Sequence, residues 1–87
     1  MSINVLPQLL RRPEVLVLTA RSKSSLHLDE KAQLICPPVS IGCRAVAYIK
    51  HEVEVVIQAR IEGQTTEQIK SLVKQLIIDR TTNKGGL

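Results

Sequence analysis

The chain has 87 residues, 12 Lys/Arg against 8 Asp/Glu, a net charge of +4 and one aromatic residue, Tyr48, with no Phe or Trp. A single domain of this size buries only about 60–65% of its unfolded surface, and its core must be built from Val, Ile and Leu. No secretory signal is read and no apolar run approaches the roughly 18–20 residues of a bilayer span, so a membrane protein is set aside.

The positive charge lies in the first half. Residues 1–50 hold seven Lys/Arg and three Asp/Glu, and residues 51–87 hold five of each. A basic half beside a neutral half suits contact with nucleic acid or another anionic surface. Small basic domains that bind no polyanion share this composition.

Residues 1–11 form an N-terminal lead. Pro13 suits the first turn of a helix, where its missing N–H costs nothing, and residues 13–20 read as a brief helix carrying Val15, Leu16 and Leu18. Arg21-Ser22 marks a break, with Ser22 as N-cap of a second helix from about 23 to 34. Pro37-Pro38 stops any helix, because the first ring pushes Cys36 toward extended geometry. Val39 to Tyr48 reads as a hairpin about a Gly42 turn. From Glu52 to Glu62, apolar and polar residues nearly alternate and β-branched residues abound, which predicts a strand. The same segment fits a helix with Val53, Val56, Ile57 and Ile61 on one face. Gly63 ends it.

Thr65 and Gln68 make a capping-box pattern before a last helix over 65–81. Ile69, Leu72, Val73, Leu76 and Ile77 fall on one face of that helix. Residues 82–87 read as a frayed tail.

Site chemistry is sparse. Cys36 and Cys43 form no CxxC pair, and His27 and His51 are not at metal-ligand spacing, so no metal or cofactor is expected. Two small thiols flanking a turn, kept reduced in a cytoplasm, is the plainer reading. No catalytic residue is assigned. Asp29-Glu30 and Glu52/Glu54 are paired only in sequence, no nucleophile–base arrangement is evident, and no Gly-rich phosphate loop follows a strand. An enzyme is not expected. If residues 23–34 are helical, Lys23, His27 and Lys31 recur at i, i+4 and i+8 with Ser24 beside them, forming one basic stripe. Such stripes are commonly solvated helix faces.

One set of segments adds to this reading. Arg12-Pro13-Glu14-Val15-Leu16 and Thr19-x-x-Ser22-Lys23-Ser24-Ser25-Leu26 are followed by Pro37-Pro38-Val39 and Gly42-x-Arg44-Ala45-Val46-Ala47-Tyr48. Glu52-Val53-Glu54 and Ala59-Arg60-Ile61 come last. Their order and spacing closely resemble the AlpA-like family of small phage and mobile-element DNA-binding proteins. The resemblance runs from Arg12 to Ile61 without a gap. It implies a MerR-like winged helix-turn-helix domain over 12–62, with the wing at 39–48 and a helix, not a strand, at 52–62. The expected fold class is α+β, mostly α, with a two-stranded wing and an additional C-terminal amphipathic helix.

In a helix-turn-helix the second helix enters the major groove. The resemblance places Ser22 to His27 at the start of that helix. Ser22, Lys23, Ser24, Ser25, His27 and Lys31 then face DNA, where Lys can donate to guanine or to a phosphate. Arg44 in the wing would hold backbone or minor groove, and Arg12 and Arg21, with Arg11, would hold phosphates. The chain departs from the family in this helix. It has His27 and Leu28 where Tyr and Arg are common, Asp29 and Glu30 where apolar residues are common, and Gln33 where Gly is common. Asp29 projects toward the expected core, where an ionised carboxylate costs several kcal/mol unless paired or solvated.

The resulting expectation is a sequence-specific double-stranded-DNA-binding protein of a phage or mobile element. It acts as an excisionase that directs an integrase partner, or as a transcription regulator of a prophage promoter. The alternative is a protein-interaction module of the same fold that has lost DNA reading, motivated by Asp29-Glu30 and the apolar face of 69–77. A third reading is a different α+β fold with 39–62 as a hairpin. The face of Ile69, Leu72, Val73, Leu76 and Ile77 has two docking sites open to it: its own winged core, or the same helix of a second chain. A homodimer is favoured, since an aliphatic core gives modest burial and paired reading heads suit operator half-sites.

Overall fold

A computed structural model describes residues 8–85, with side chains through Arg80. Among the described residues, β1 (Leu9–Leu10) leads into α1 (Arg12–Thr19) and α2 (Lys23–Lys31). A hairpin of β2 (Val39–Gly42) and β3 (Ala45–Ile49) follows, then α3 (Lys50–Ile61) and α4 (Thr66–Gly85). The expected class, α+β and mostly α with a winged helix-turn-helix, is what the chain adopts.

Three helices end in closely related ways. In each, a residue with left-handed backbone follows the last turn, and two N–H groups close back on the final carbonyls, as in a Schellman motif. At α1 this is Ala20 (φ 57), with Arg21 N–H donating to Leu16 O. At α2 it is Gln33 (φ 63), with Leu34 N–H donating to Asp29 O at 2.8 Å. At α3 it is Gly63 (φ 80), with Gln64 N–H donating to Ala59 O. Only the last uses the residue suited to that backbone. The second helix was expected to run to 34; it stops at Lys31 because Gln33 turns left-handed well before the prolines.

β3 is the central strand of an antiparallel sheet of order β1-β3-β2. Leu10 pairs with Tyr48 and Val39 with Ala47. The register shifts between Ser40 and Gly42, so that Gly42 pairs directly with Ala45. The hairpin turn is therefore Cys43-Arg44, not Gly42, and Arg44 takes the positive φ of 60. The wing gains a third strand from residues read as a mere lead, because Leu9-Leu10 reach the free edge of β3.

The segment from Glu52 to Ile61 is helical, so the 39–62 hairpin is ruled out. α3 packs on two sides at once. Val53 joins a core of Leu10, Val15, Leu26, Ile35 and Tyr48. Val56 and Ala59 join a second core of Cys36, Ile69, Val73 and Leu76. The expected apolar face of α3 is corrected at its end: Ala59 is buried and Ile61 is 72% exposed.

The capping box at Thr65 is present, with Gln68 N–H donating to Thr65 Oγ1 at 3.2 Å and Thr65 N–H to Gln68 Oε1 at 2.8 Å. The face expected to form a dimer surface is used within the chain. Ile69, Val73 and Leu76 are buried against α3, Leu72 is half-buried, and Ile77 is 37% exposed. Of the two docking sites, the helix takes its own winged core, because Val56, Ala59 and Cys36 offer it an apolar shelf. Residues 82–85, read as frayed, continue α4 in their backbone; residues 86–87 of that tail and 1–7 of the lead lie outside the described residues.

Arg80 fastens α4 to the domain. Its Nε and terminal amino group donate to both oxygens of buried Glu52, at 2.7 and 2.5 Å, and it also donates to Pro37 O at 2.8 Å. Two carboxylate bonds satisfy the charge that burial of Glu52 would otherwise strand.

Candidate nucleic-acid interface

α2 begins at Ser22, whose Oγ accepts from Ser25 N–H at 3.1 Å and donates to Ser25 Oγ at 2.9 Å. Two of the expected DNA-facing serines are thus engaged with each other in the cap. Leu26 is buried and anchors the helix to the first core. Lys23, Ser24, His27 and Lys31 point outward and are exposed.

The acids of this helix are accounted for within the chain. Asp29 is only 7% exposed, and Arg21 holds both its oxygens through Nε and a terminal nitrogen, each at 2.9 Å. Arg21 thus gives Nε and one terminal N–H to Asp29, while its side chain stays 41% exposed. Glu30 accepts a hydrogen bond from Tyr48 Oη, and Arg12 donates to the same Oη at 3.4 Å. Burial, and then the bond to Glu30, raises the pKa of Tyr48. The bond to Tyr48 raises that of Arg12 in turn. Tyr48 remains a neutral donor at ordinary pH.

Arg12, Lys23, Ser24, His27 and Glu30 line one groove between the start of α1 and the outer face of α2. Four of the nine sequence-predicted DNA residues thus converge. Lys31 continues the stripe beyond the groove. Arg44 stands apart at the wing tip, exposed and held left-handed by the turn. Sequence reasoning counted Glu30 against the site and left out Tyr48. Glu30 lies three residues after His27 and seven after Lys23, which is the helical spacing of a shared face.

The two cysteines do not flank one turn. Cys36 is buried under α4, its thiol facing Val73 O at 4.0 Å, and Cys43 is exposed at the wing tip. Among the described residues, no group of three or more His, Cys, Asp or Glu is placed to hold a metal ion. No helix of the described residues is long and apolar enough to cross a membrane.

Two short helices joined by a tight turn, the second bearing an open basic stripe and followed by a hairpin, define a winged helix-turn-helix regulator. The family described as prophage CP4-57 regulatory protein (AlpA) matches residues 8–61, and the chain belongs to it. The match spans β1 to the last residue of α3, so α4 lies outside it. No curated protein and no solved structure gives a match.

Proposed function

We propose that the chain binds duplex DNA sequence-specifically and regulates transcription from a phage or prophage promoter. The observation that carries this is the groove, where Arg12 from one helix meets Lys23, Ser24 and His27 from the next. A cationic groove beside a major-groove-sized helix positions the protein on phosphates while a few side chains reach base edges. The same geometry serves the second role in which such a protein works, an excisionase that directs an integrase. Less supports the interaction-module reading, since Asp29 is held by Arg21 and Ile69, Val73 and Leu76 pack against α3.

Titrating a labelled duplex pool at several salt concentrations tests the reading. Neutralisation of about three to five phosphates gives a log–log slope of roughly −3 to −5. Absence of binding at about 50 mM salt would overturn it.

A further inference from the structure

An acid on a surface that approaches phosphates raises the cost of binding through repulsion. Asp29 avoids this by burial, but Glu30 does not. It lines the groove with Lys23 and His27 and stands on the same helical face. Its position is held by a buried anchor: Tyr48 is 1% exposed in the first core, and its hydroxyl donates to Glu30 Oε2. Glu30 Oε1 takes no hydrogen bond among the described residues. The result is a fixed, half-buried acceptor set among donors.

Base edges in the major groove distinguish such groups. A carboxylate can only accept, and cytosine N4 offers a donor there; Lys donates to the O6 and N7 of guanine. We infer that Glu30 is a specificity-determining residue of the DNA site, held by Tyr48 so that its remaining oxygen accepts from the N4 amino group of one cytosine. Lys23, two turns earlier on the same face, donates to a neighbouring guanine or phosphate. The inference rests on the DNA-binding reading above and adds to it a base and the atom that selects it.

Glu30→Gln separates reading from support. The amide oxygen of Gln can still accept from Tyr48, so a merely structural role survives. Its face toward DNA changes, however, because the amide nitrogen then stands where Oε1 stood and can only donate, so it selects a base acceptor such as thymine O4 or guanine O6. Wild type and Glu30→Gln are each used to select sites from a randomised duplex library. The expected result is that one column of the selected site loses its cytosine preference by about fivefold or more, toward bases that present an acceptor there, while the other columns stay. Identical columns in both proteins would overturn the inference and leave DNA binding intact. A wild type that binds duplex yet enriches no sequence removes this inference together with sequence-specific reading. If Glu30→Gln does not fold, Tyr48→Phe carries the test. It keeps the ring and frees Glu30, so the same column must blur, and an unchanged column would overturn the inference.

Discussion

Arg21 and Asp29 are joined by two parallel hydrogen bonds of 2.9 Å, one residue in the turn between the helices and the other on the inner face of the second. The pair ties the turn to the inner face of α2. It also shows why an acid is tolerated where an apolar residue would be expected. The carboxylate is buried, but both oxygens are occupied by a partner whose far side stays 41% exposed in its side chain.

Removing one partner should therefore cost more than removing both. Arg21→Ala leaves Asp29 without its cation and should destabilise by about 2–3 kcal/mol, a figure below that for fully buried pairs because the guanidinium is partly solvated. Adding Asp29→Ala to that variant should recover part of the loss. Urea unfolding of the two single variants and the double variant measures it, and additive losses would mean the two residues are not coupled.

Base reading and backbone positioning separate by mutation. Lys23→Ala and Ser24→Ala should weaken a selected site more than random duplex, by about 1–3 kcal/mol where a base contact is lost. Arg44→Ala at the wing tip should weaken both alike and reduce the salt slope by about one. Competition titrations with specific and random duplex give the ratios. Uniform losses in all three variants would make α2 a charged face only.

The clasp between α4 and α3 is a second coupled pair. Arg80→Ala strands buried Glu52 and frees Pro37 O, and should cost about 3–5 kcal/mol. Glu52→Gln keeps shape and two acceptor or donor groups and should cost less. The comparison is made by thermal and urea unfolding, in which Arg80→Ala should shift the midpoint far more than a change at exposed Lys74.

Alkaline pH should weaken the fold through Cys36. Burial, and then the charge of nearby Glu52, pushes its thiol from 9.0 up to about 12. The unfolded chain releases this proton near 9.0, while the folded chain keeps it to about 12. The contribution of the neutral thiol is thus whole below the unfolded value and is lost as pH rises toward the folded one, at up to about 1.4 kcal/mol per pH unit. Tyr48 is shifted in the same direction. Urea stability measured at about pH 8.5 and 10.5 should fall less steeply in Cys36→Ala than in wild type. At neutral pH a thiol-alkylating reagent should modify Cys43 and spare Cys36.

What the sequence made legible was local. Ser22 and the Thr65/Gln68 pair announce their caps because the bonds they make span three residues. The basic stripe of α2 follows from spacing alone. The rest depends on distant partners. Alternation in 52–62 misleads because α3 is covered on two sides, so apolar residues are wanted on more than one face. Buried Glu52 is settled by Arg80, 28 residues away. Gln33 and Ala20 carry no residue-type signal for the left-handed backbone they adopt, and two residues of β1 are too few for a periodicity. In the groove, Glu30 reads as a liability until Tyr48, 18 residues on, is seen to hold it.

Tyr48 has an optical consequence as well. It is the one near-ultraviolet chromophore among the aromatic side chains, since the chain has no Trp and no Phe. Every near-ultraviolet aromatic signal therefore originates at the phenol whose hydroxyl joins Arg12 to Glu30. The protein carries its own label beneath the groove, bonded to two residues that line it. Near-ultraviolet dichroism and tyrosine emission, normally averages over many sites, here follow a single hydrogen-bonded junction without any dye or engineered residue.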